Sequence, residues 1–112
     1  MKRGEIWWAS LPELSGAEPG YRRPVLIIQA DDFNRSGIQT VLCTIISSNL
    51  HLAAAPGNVN LSKRASGLSK PSVVNISQLI TVDKSFITER VKRVDAEILR
   101  EVETGLRLVL DL

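Results

Sequence analysis

Cysteine and histidine each occur once in the 112 residues, as Cys43 and His51. A single cysteine excludes an internal disulfide framework, and the pair leaves too few soft ligands for a zinc cluster within one chain. No metal and no cofactor is expected, and packing alone must hold the scaffold. Aromatic residues make up only 4% of the chain, so each tryptophan has to be accounted for. No apolar run reaches the roughly 18 to 20 residues of a membrane-spanning helix. The opening Met1-Lys2-Arg3-Gly4-Glu5 lacks the apolar stretch of a secretory signal, so the expected location is the cytoplasm, with no membrane partner. A phosphate-cradling GxxxxGK loop, a GxGxxG turn and an HExxH helix are all missing, which removes nucleoside-triphosphate, dinucleotide and zinc-protease readings.

What is present suits one domain over residues 1–112. Hydrophobic residues are 44% and charged residues 23% of the chain, enough to bury a core unaided. The net charge of +2 is unevenly spread. Residues 1–82 hold eight Lys/Arg against five Asp/Glu, and residues 83–112 hold six against seven. A basic excess over the first three quarters fits a phosphate-bearing partner, and it fits an ordinary soluble surface equally well.

Strand signals dominate the first eighty residues. Glu5 to Leu11, Pro24 to Gln29 and Thr40 to Ile46 are β-rich, and Asn58 to Leu61, Ser72 to Asn75 and Gln78 to Asp83 read as shorter strands. Pro12 to Tyr21 and Ala30 to Gln39 read as loops, the second with one helical turn at Asp31 to Asn34. After a further strand over Phe86 to Val94, the period changes. Asp95 can cap a helix whose apolar positions Ile98, Leu99, Val102, Leu106 and Val109 fall on one stripe. The class is a small β-rich (α+β) barrel or curled sheet with a C-terminal helix.

The densest chemistry lies in Glu18-Pro19-Gly20-Tyr21-Arg22-Arg23-Pro24. Pro24 biases Arg23 to an extended backbone, which gives its side chain a defined direction. A guanidinium matches phosphate oxygens and stays charged at physiological pH, although an ordinary ion pair with Glu18 fits the same residues. Ser47-Ser48-Asn49-Leu50-His51 ends the third strand, where hydroxyls and amides either contact a nucleic acid or cap a turn. His51 fits an acid–base role or a plain surface position. Cys43, inside an apolar strand, reads as a buried hydrophobe. Trp7 and Trp8 cannot both face inward on one strand, so one of them needs another partner: a base, the helix or a subunit interface.

Arg3-Gly4-Glu5-Ile6-Trp7, Gly16-Ala17-Glu18-Pro19-Gly20, Arg23-Pro24-Val25-Leu26-Ile27-Ile28-Gln29, Ser47-Ser48-Asn49, Pro56-Gly57-Asn58-Val59 and Gln78-Leu79-Ile80-Thr81-Val82-Asp83 occur in this order. Taken together they resemble the MazF/PemK family of toxin endoribonucleases nearly end to end. The resemblance implies an SH3-like barrel of antiparallel strands with a C-terminal helix, and a homodimer that cleaves single-stranded RNA. It implies metal-independent attack by the 2′-hydroxyl, giving 2′,3′-cyclic phosphate and 5′-hydroxyl ends, and neutralisation by a cognate antitoxin protein. The family's catalytic positions fall on Arg23, Glu18 and Ser47, the last a threonine in most members. Arg22, Ser48, Asn49, His51 and Gln78 are the expected RNA-binding residues.

The sequence also departs from the family. Asn75 and Ser77 stand where part of it has an acid–base Arg and Asp, so that version of the mechanism does not apply. Arg23, a poor proton acceptor, is expected to stabilise the phosphorane, and Glu18 to accept the 2′-hydroxyl proton. Arg23, His51 and water are the candidates to protonate the leaving oxygen. The alternatives are a CcdB-like toxin that binds DNA gyrase without catalysis and an inactive RNA-binding barrel. The former relies on a C-terminal Trp-Gly-Ile, where this sequence reads Leu110-Asp111-Leu112.

Overall fold

Alternation of side chains along each strand organises the molecule. In the computed structural model, which describes residues 1–11 and 21–112, β1 (Glu5–Leu11), β2 (Tyr21–Ile27) and β3 (Thr40–Ser47) form the centre of an antiparallel sheet. The flanking strands are β4 (Val59–Leu61), β5 (Ser72–Asp83) and β6 (Ile87–Arg93), and the spatial order of the six is β4-β5-β3-β2-β1-β6. The register pairs Ile6 with Leu26 and Ile46 with Val74, and these four belong to one buried cluster together with Val59, Leu61 and Ile76. The intervening residues of the same strands, Ala9, Val25, Ile27, Cys43 and Ile45, form a second cluster on the opposite side. A sheet apolar on both faces explains why Val25-Leu26-Ile27 reads as an unbroken apolar run. Each fully buried Leu or Ile in it contributes about 1.5–3 kcal/mol.

The expected small barrel is present as a curled sheet whose edge strands β4 and β6 do not pair with each other. A short helix, α2 (Lys63–Ser66), touches both of these strands, and Lys92 of β6 donates to the Arg64 carbonyl. The C-terminal helix α3 (Ala96–Leu110) packs its stripe of Ile98, Leu99, Val102 and Leu106 on the first cluster. Asp95 caps it as expected, its carboxylate accepting from the Ile98 N–H at 3.0 Å. Arg3 ties the helix to the sheet by donating to Glu103 at 2.9 Å and to the Ile28 carbonyl at 2.8 Å. No helix among the described residues is long and apolar enough to cross a membrane.

Most expected elements are where the sequence places them, including the turn of helix α1 (Asp31–Arg35). β2 begins three residues earlier than the apolar run suggests, at Tyr21, because the polar Tyr21, Arg22 and Arg23 still pair with β1. The two expected strands Ser72–Asn75 and Gln78–Asp83 are one, β5, interrupted by a bulge. Thr44 pairs with Leu79 and Ile45 with Asn75, so Ile76, Ser77 and Gln78 have no counterpart in β3. The bulge bends β5 so that Val74 and Ile76 serve the first cluster while Val82 serves the second. Val109 is partly exposed rather than packed. Neither α2 nor the 3₁₀ turn at Leu50–Ala54 has a periodic signal in the sequence.

Gly105 of α3 lies against the turn at Gly57, just before β4. A Cβ at Gly105 would lie 2.2 Å from the Gly57 carbonyl oxygen, and Gly57 itself has φ of +88°, a conformation that other residues resist. Helix propensity alone favours Gly105→Ala by about 1 kcal/mol, while overpacking costs about 1–3 kcal/mol. Gly105→Ala is therefore expected to lower the urea midpoint, and an unchanged or raised midpoint would show that the Gly57 turn yields freely.

Glu5 is a buried carboxylate that accepts from Arg90 Nε at 2.6 Å, from Lys2 N at 2.7 Å and from Trp7 Nε1 at 3.1 Å. Burial opposes its ionisation, but the three donors outweigh burial and hold the carboxyl below its ordinary value of 4.5. Because the folded pKa is the lower one, this stabilisation is complete above the ordinary value and disappears as the pH falls through the folded value. Glu5→Gln is expected to cost about 1–3 kcal/mol at neutral pH and to flatten the loss of stability between about pH 5 and pH 3. Urea titrations across that range are the check, and parallel curves for the two proteins would rule out the role of Glu5.

Candidate active site at the ends of the central strands

Arg23 pairs with Ala9 of β1 and stands two residues before Val25, whose partner in β3 is Ile45. The β2–β3 pairing ends there, and the same register extended by two residues would bring Arg23 opposite Ser47, both with the side-chain parity of Val25 and Ile45. Arg23 is partly buried. Its Nε donates to the Tyr21 hydroxyl at 2.8 Å, and its guanidinium carbon lies 5.2 Å from the centre of the Tyr21 ring. Tyr21, two residues earlier on the same face, thus holds one edge of the guanidinium. Among the described residues the two Nη groups, the fork that matches phosphate oxygens, have no hydrogen-bond partner. The period of two along β2 carries the signal for Tyr21, which reading Arg23 alone misses.

Ser47 is buried at the end of β3, and its Oγ accepts from the Asn49 N–H at 3.1 Å, which leaves the hydroxyl proton free to donate. Asn49 in turn caps the 3₁₀ turn, its side-chain oxygen accepting from the His51 N–H at 3.2 Å. Turn capping is what the Asn49 oxygen does, and His51 is exposed on that turn.

Gln78 is exposed on the bulge of β5, and its side-chain oxygen accepts from Asn75 Nδ2 at 2.8 Å. Asn75 is buried opposite Ile45, and its own oxygen accepts from Asn58 Nδ2 at 3.1 Å. Asn58 also receives the Ile76 N–H at 2.9 Å, so the bulge is fixed by an amide chain that starts one residue after Gly57. Asn75 is therefore a brace for Gln78, a role that the bare sequence leaves hidden.

Arg22 leaves β2 on the opposite face from Arg23, and Ser48 directly follows the last residue of β3. Both line a hollow of about 340 Å³ with Trp8, Lys70 and Ser72, where the Arg22 guanidinium carbon lies 4.6 Å from the centre of the Trp8 ring. Arg22 also pairs with Glu89 at 2.8 Å across an exposed surface. Trp7 packs on the second cluster and Trp8 faces the hollow, so the two tryptophans divide as strand geometry requires. Glu18 lies outside the described residues. The Cys43 thiol is pushed up to about 12 by burial, which makes it a poor nucleophile. Among the described residues, no group of three or more His, Cys, Asp or Glu is placed to hold a metal ion.

Comparison with known proteins matches residues 2–110 to a family model described as PemK-like, MazF-like toxin of type II toxin-antitoxin system. The chain is 47% identical over 112 residues to Endoribonuclease MazF6 of Mycobacterium tuberculosis (strain ATCC 25618 / H37Rv), covering all of this chain and 98% of that protein. It is 32% identical over 112 residues to Endoribonuclease EndoA of Bacillus subtilis (strain 168), covering 100% and 96%. In fold it is similar to a MazE-MazF crystal structure from Deinococcus radiodurans, with a TM-score of 0.81 at 24% identity over 100% of this chain and 96% of that one. An endoribonuclease in complex with its cognate antitoxin from Mycobacterial species has a TM-score of 0.77 at 21% identity, over 100% and 96%.

Proposed function

This chain belongs to the PemK-like, MazF-like toxins of type II toxin-antitoxin systems, and we propose that, as an endoribonuclease, it cuts single-stranded RNA, chiefly messenger RNA in the cytoplasm. The observation that carries this reading is that Arg23 and Ser47 share the side-chain parity of the paired Val25 and Ile45 on neighbouring strands, with no described partner on the Arg23 Nη groups and the Ser47 proton free. A guanidinium and a hydroxyl on one face of neighbouring strands suit a phosphoryl group whose charge grows in the transition state.

In the proposed reaction the 2′-hydroxyl oxygen attacks its own phosphorus and the bond to the 5′-oxygen breaks. Glu18 takes the 2′-hydroxyl proton, and the 5′-oxygen leaves with a proton from solvent. Arg23 stabilises the phosphorane oxygens through two parallel hydrogen bonds, and Ser47 donates one more. Nothing in this sequence of steps requires a metal ion. We assign Arg22, Ser48, Asn49, His51 and Gln78 to the nucleotides on either side. The active form is a homodimer whose groove holds the RNA, and a cognate antitoxin chain neutralises it. The family match and the endoribonuclease relatives support this reading over a gyrase-binding toxin.

Arg23→Ala is expected to lower the cleavage rate by about 10²–10³ with the fold intact, and Arg23→Lys to recover little because a point charge cannot replace the fork. Ser47→Thr should be tolerated and Ser47→Ala impaired. Steady-state cleavage of a labelled oligoribonucleotide checks these variants, with circular dichroism to establish folding. A folded Arg23→Ala protein of near-native activity would overturn the assignment.

A further inference from the structure

The hollow beside Trp8 is the open mouth of the curled sheet. Trp8, Arg22, Pro24, Ile46, Ser48 and Ser72 share the side-chain parity of Ile6, Leu26 and Val74, so they continue the first apolar cluster outwards to solvent. Trp8 and Pro24 are direct cross-strand partners, and Ser10 pairs with Arg22 one step further out. Leu68, Ser69 and Lys70 complete the lining, a segment held by its own hydrogen bonds. Ser62 caps α2 by accepting from the Ala65 N–H at 3.1 Å, and Gly67 ends α2 with φ of +75°. Ser66 Oγ then accepts the Leu68 N–H at 3.0 Å, and Ser72 Oγ donates to the Lys70 carbonyl at 3.0 Å.

The lining has a distinctive chemistry. It combines the Trp8 ring, with Arg22 over one face, and aliphatic carbon from Pro24, Ile46 and Leu68 with three serines and the cations Arg22, Arg23 and Lys70, and among the described residues no carboxylate lines it. Arg22 is shared with Glu89, but side chains 46% and 67% exposed make this a weak pair that phosphate can displace. An apolar platform with cations along its rim suits a nucleotide, whose base has two apolar faces and whose phosphate is anionic. Arg22 and Ser48 are also the immediate chain neighbours of Arg23 and Ser47. A strand of RNA whose scissile phosphate sits on Arg23 and Ser47 therefore reaches the hollow by crossing the rim of β2 and β3.

We propose that this hollow is a subsite for one nucleotide flanking the cleaved bond, its base stacked on Trp8 and its phosphate held by Lys70 and Arg22. The proposal rests on the RNA-cleavage reading above and adds a second, non-catalytic contact that sets which flanking base is preferred. Trp8 and Lys70 are then specificity-determining residues outside the reacting groups.

The test uses the full chain and an oligoribonucleotide carrying a mapped cleavage site, together with a copy blocked by a 2′-O-methyl group at that site for binding measurements. Lys70→Gln, at an exposed position, is expected to weaken binding several-fold and to reduce the slope of log Kd against log salt by about 0.7, the share of one phosphate contact on a single strand. Trp8→Ala is expected to weaken binding about tenfold with the salt slope unchanged, since stacking is not a charge effect. In both variants KM rises while kcat stays within about twofold, and the base preference at one flanking position is lost in the mapped 5′-hydroxyl ends. If the wild-type protein binds the blocked RNA in this Lys70-dependent way yet cleaves none, the subsite stands and the cleavage reading falls. If Lys70→Gln and folded Trp8→Ala bind and cleave like the wild type with the same base preference, the subsite is overturned while cleavage stands. That result, with antitoxin binding alone weakened in the variants, would assign the hollow to the protein partner instead.

Discussion

Successive residues of a strand send their side chains to opposite faces, and in this molecule both faces of the central strands are buried. That constraint leaves β2 no freedom to slip. A shift by one residue would exchange Val25 and Ile27, which belong to one cluster, with Leu26, which belongs to the other. The same constraint aims the chemistry. Arg23 inherits the face of Val25, and Arg22 inherits the face of Leu26. Two adjacent arginines on opposite strand faces thus serve neighbouring surfaces, and both reach the hollow beside Trp8.

Packing on the far side of the sheet supports this arrangement. The close contact of Gly105 with Gly57 seats α3 against the turn that presents Asn58. Asn58 binds the bulge of β5 through Asn75 and the Ile76 N–H, and Asn75 orients Gln78. A chain of short contacts therefore runs from the helix to the edge of the candidate site, and its buried polar member, Asn75, has both its oxygen and its amide nitrogen partnered. The weak helix former Gly105 is retained at a place where no Cβ fits. Thr44, next to the bulge, is the exception, a buried hydroxyl with no partner among the described residues.

Much of the fold is legible in the sequence because its signals are local. The apolar run of β2, the alternation in β1 and β3, and the capped stripe of α3 each follow from residues close together in the chain. The errors arise where distant partners decide. Nothing local joins Ser72–Asn75 to Gln78–Asp83, because the polar bulge between them is held by Asn58 from elsewhere in the chain. Likewise α2 is fixed by the edge strands it spans, and its few residues carry no period. For the site, Arg23 and Ser47 are readable from motif resemblance and their alignment from strand parity. The roles of Asn75 as a brace, of Tyr21 as a partner to Arg23, and of Lys70 opposite Trp8 depend on tertiary proximity and emerge only from the folded chain.

In the proposed mechanism, side chains at the ends of β2 and β3 direct phosphoryl transfer from the RNA's own 2′-hydroxyl. The most direct measurement is the chemistry of the ends produced when the wild-type chain acts on a long single-stranded RNA in excess EDTA. Undiminished cleavage that yields 5′-hydroxyl and 2′,3′-cyclic phosphate termini is expected, because in the proposed reaction the attacking oxygen belongs to the substrate and the charge is met by Arg23. Cleavage that stops in EDTA, resumes with magnesium and leaves 5′-phosphate ends would contradict it.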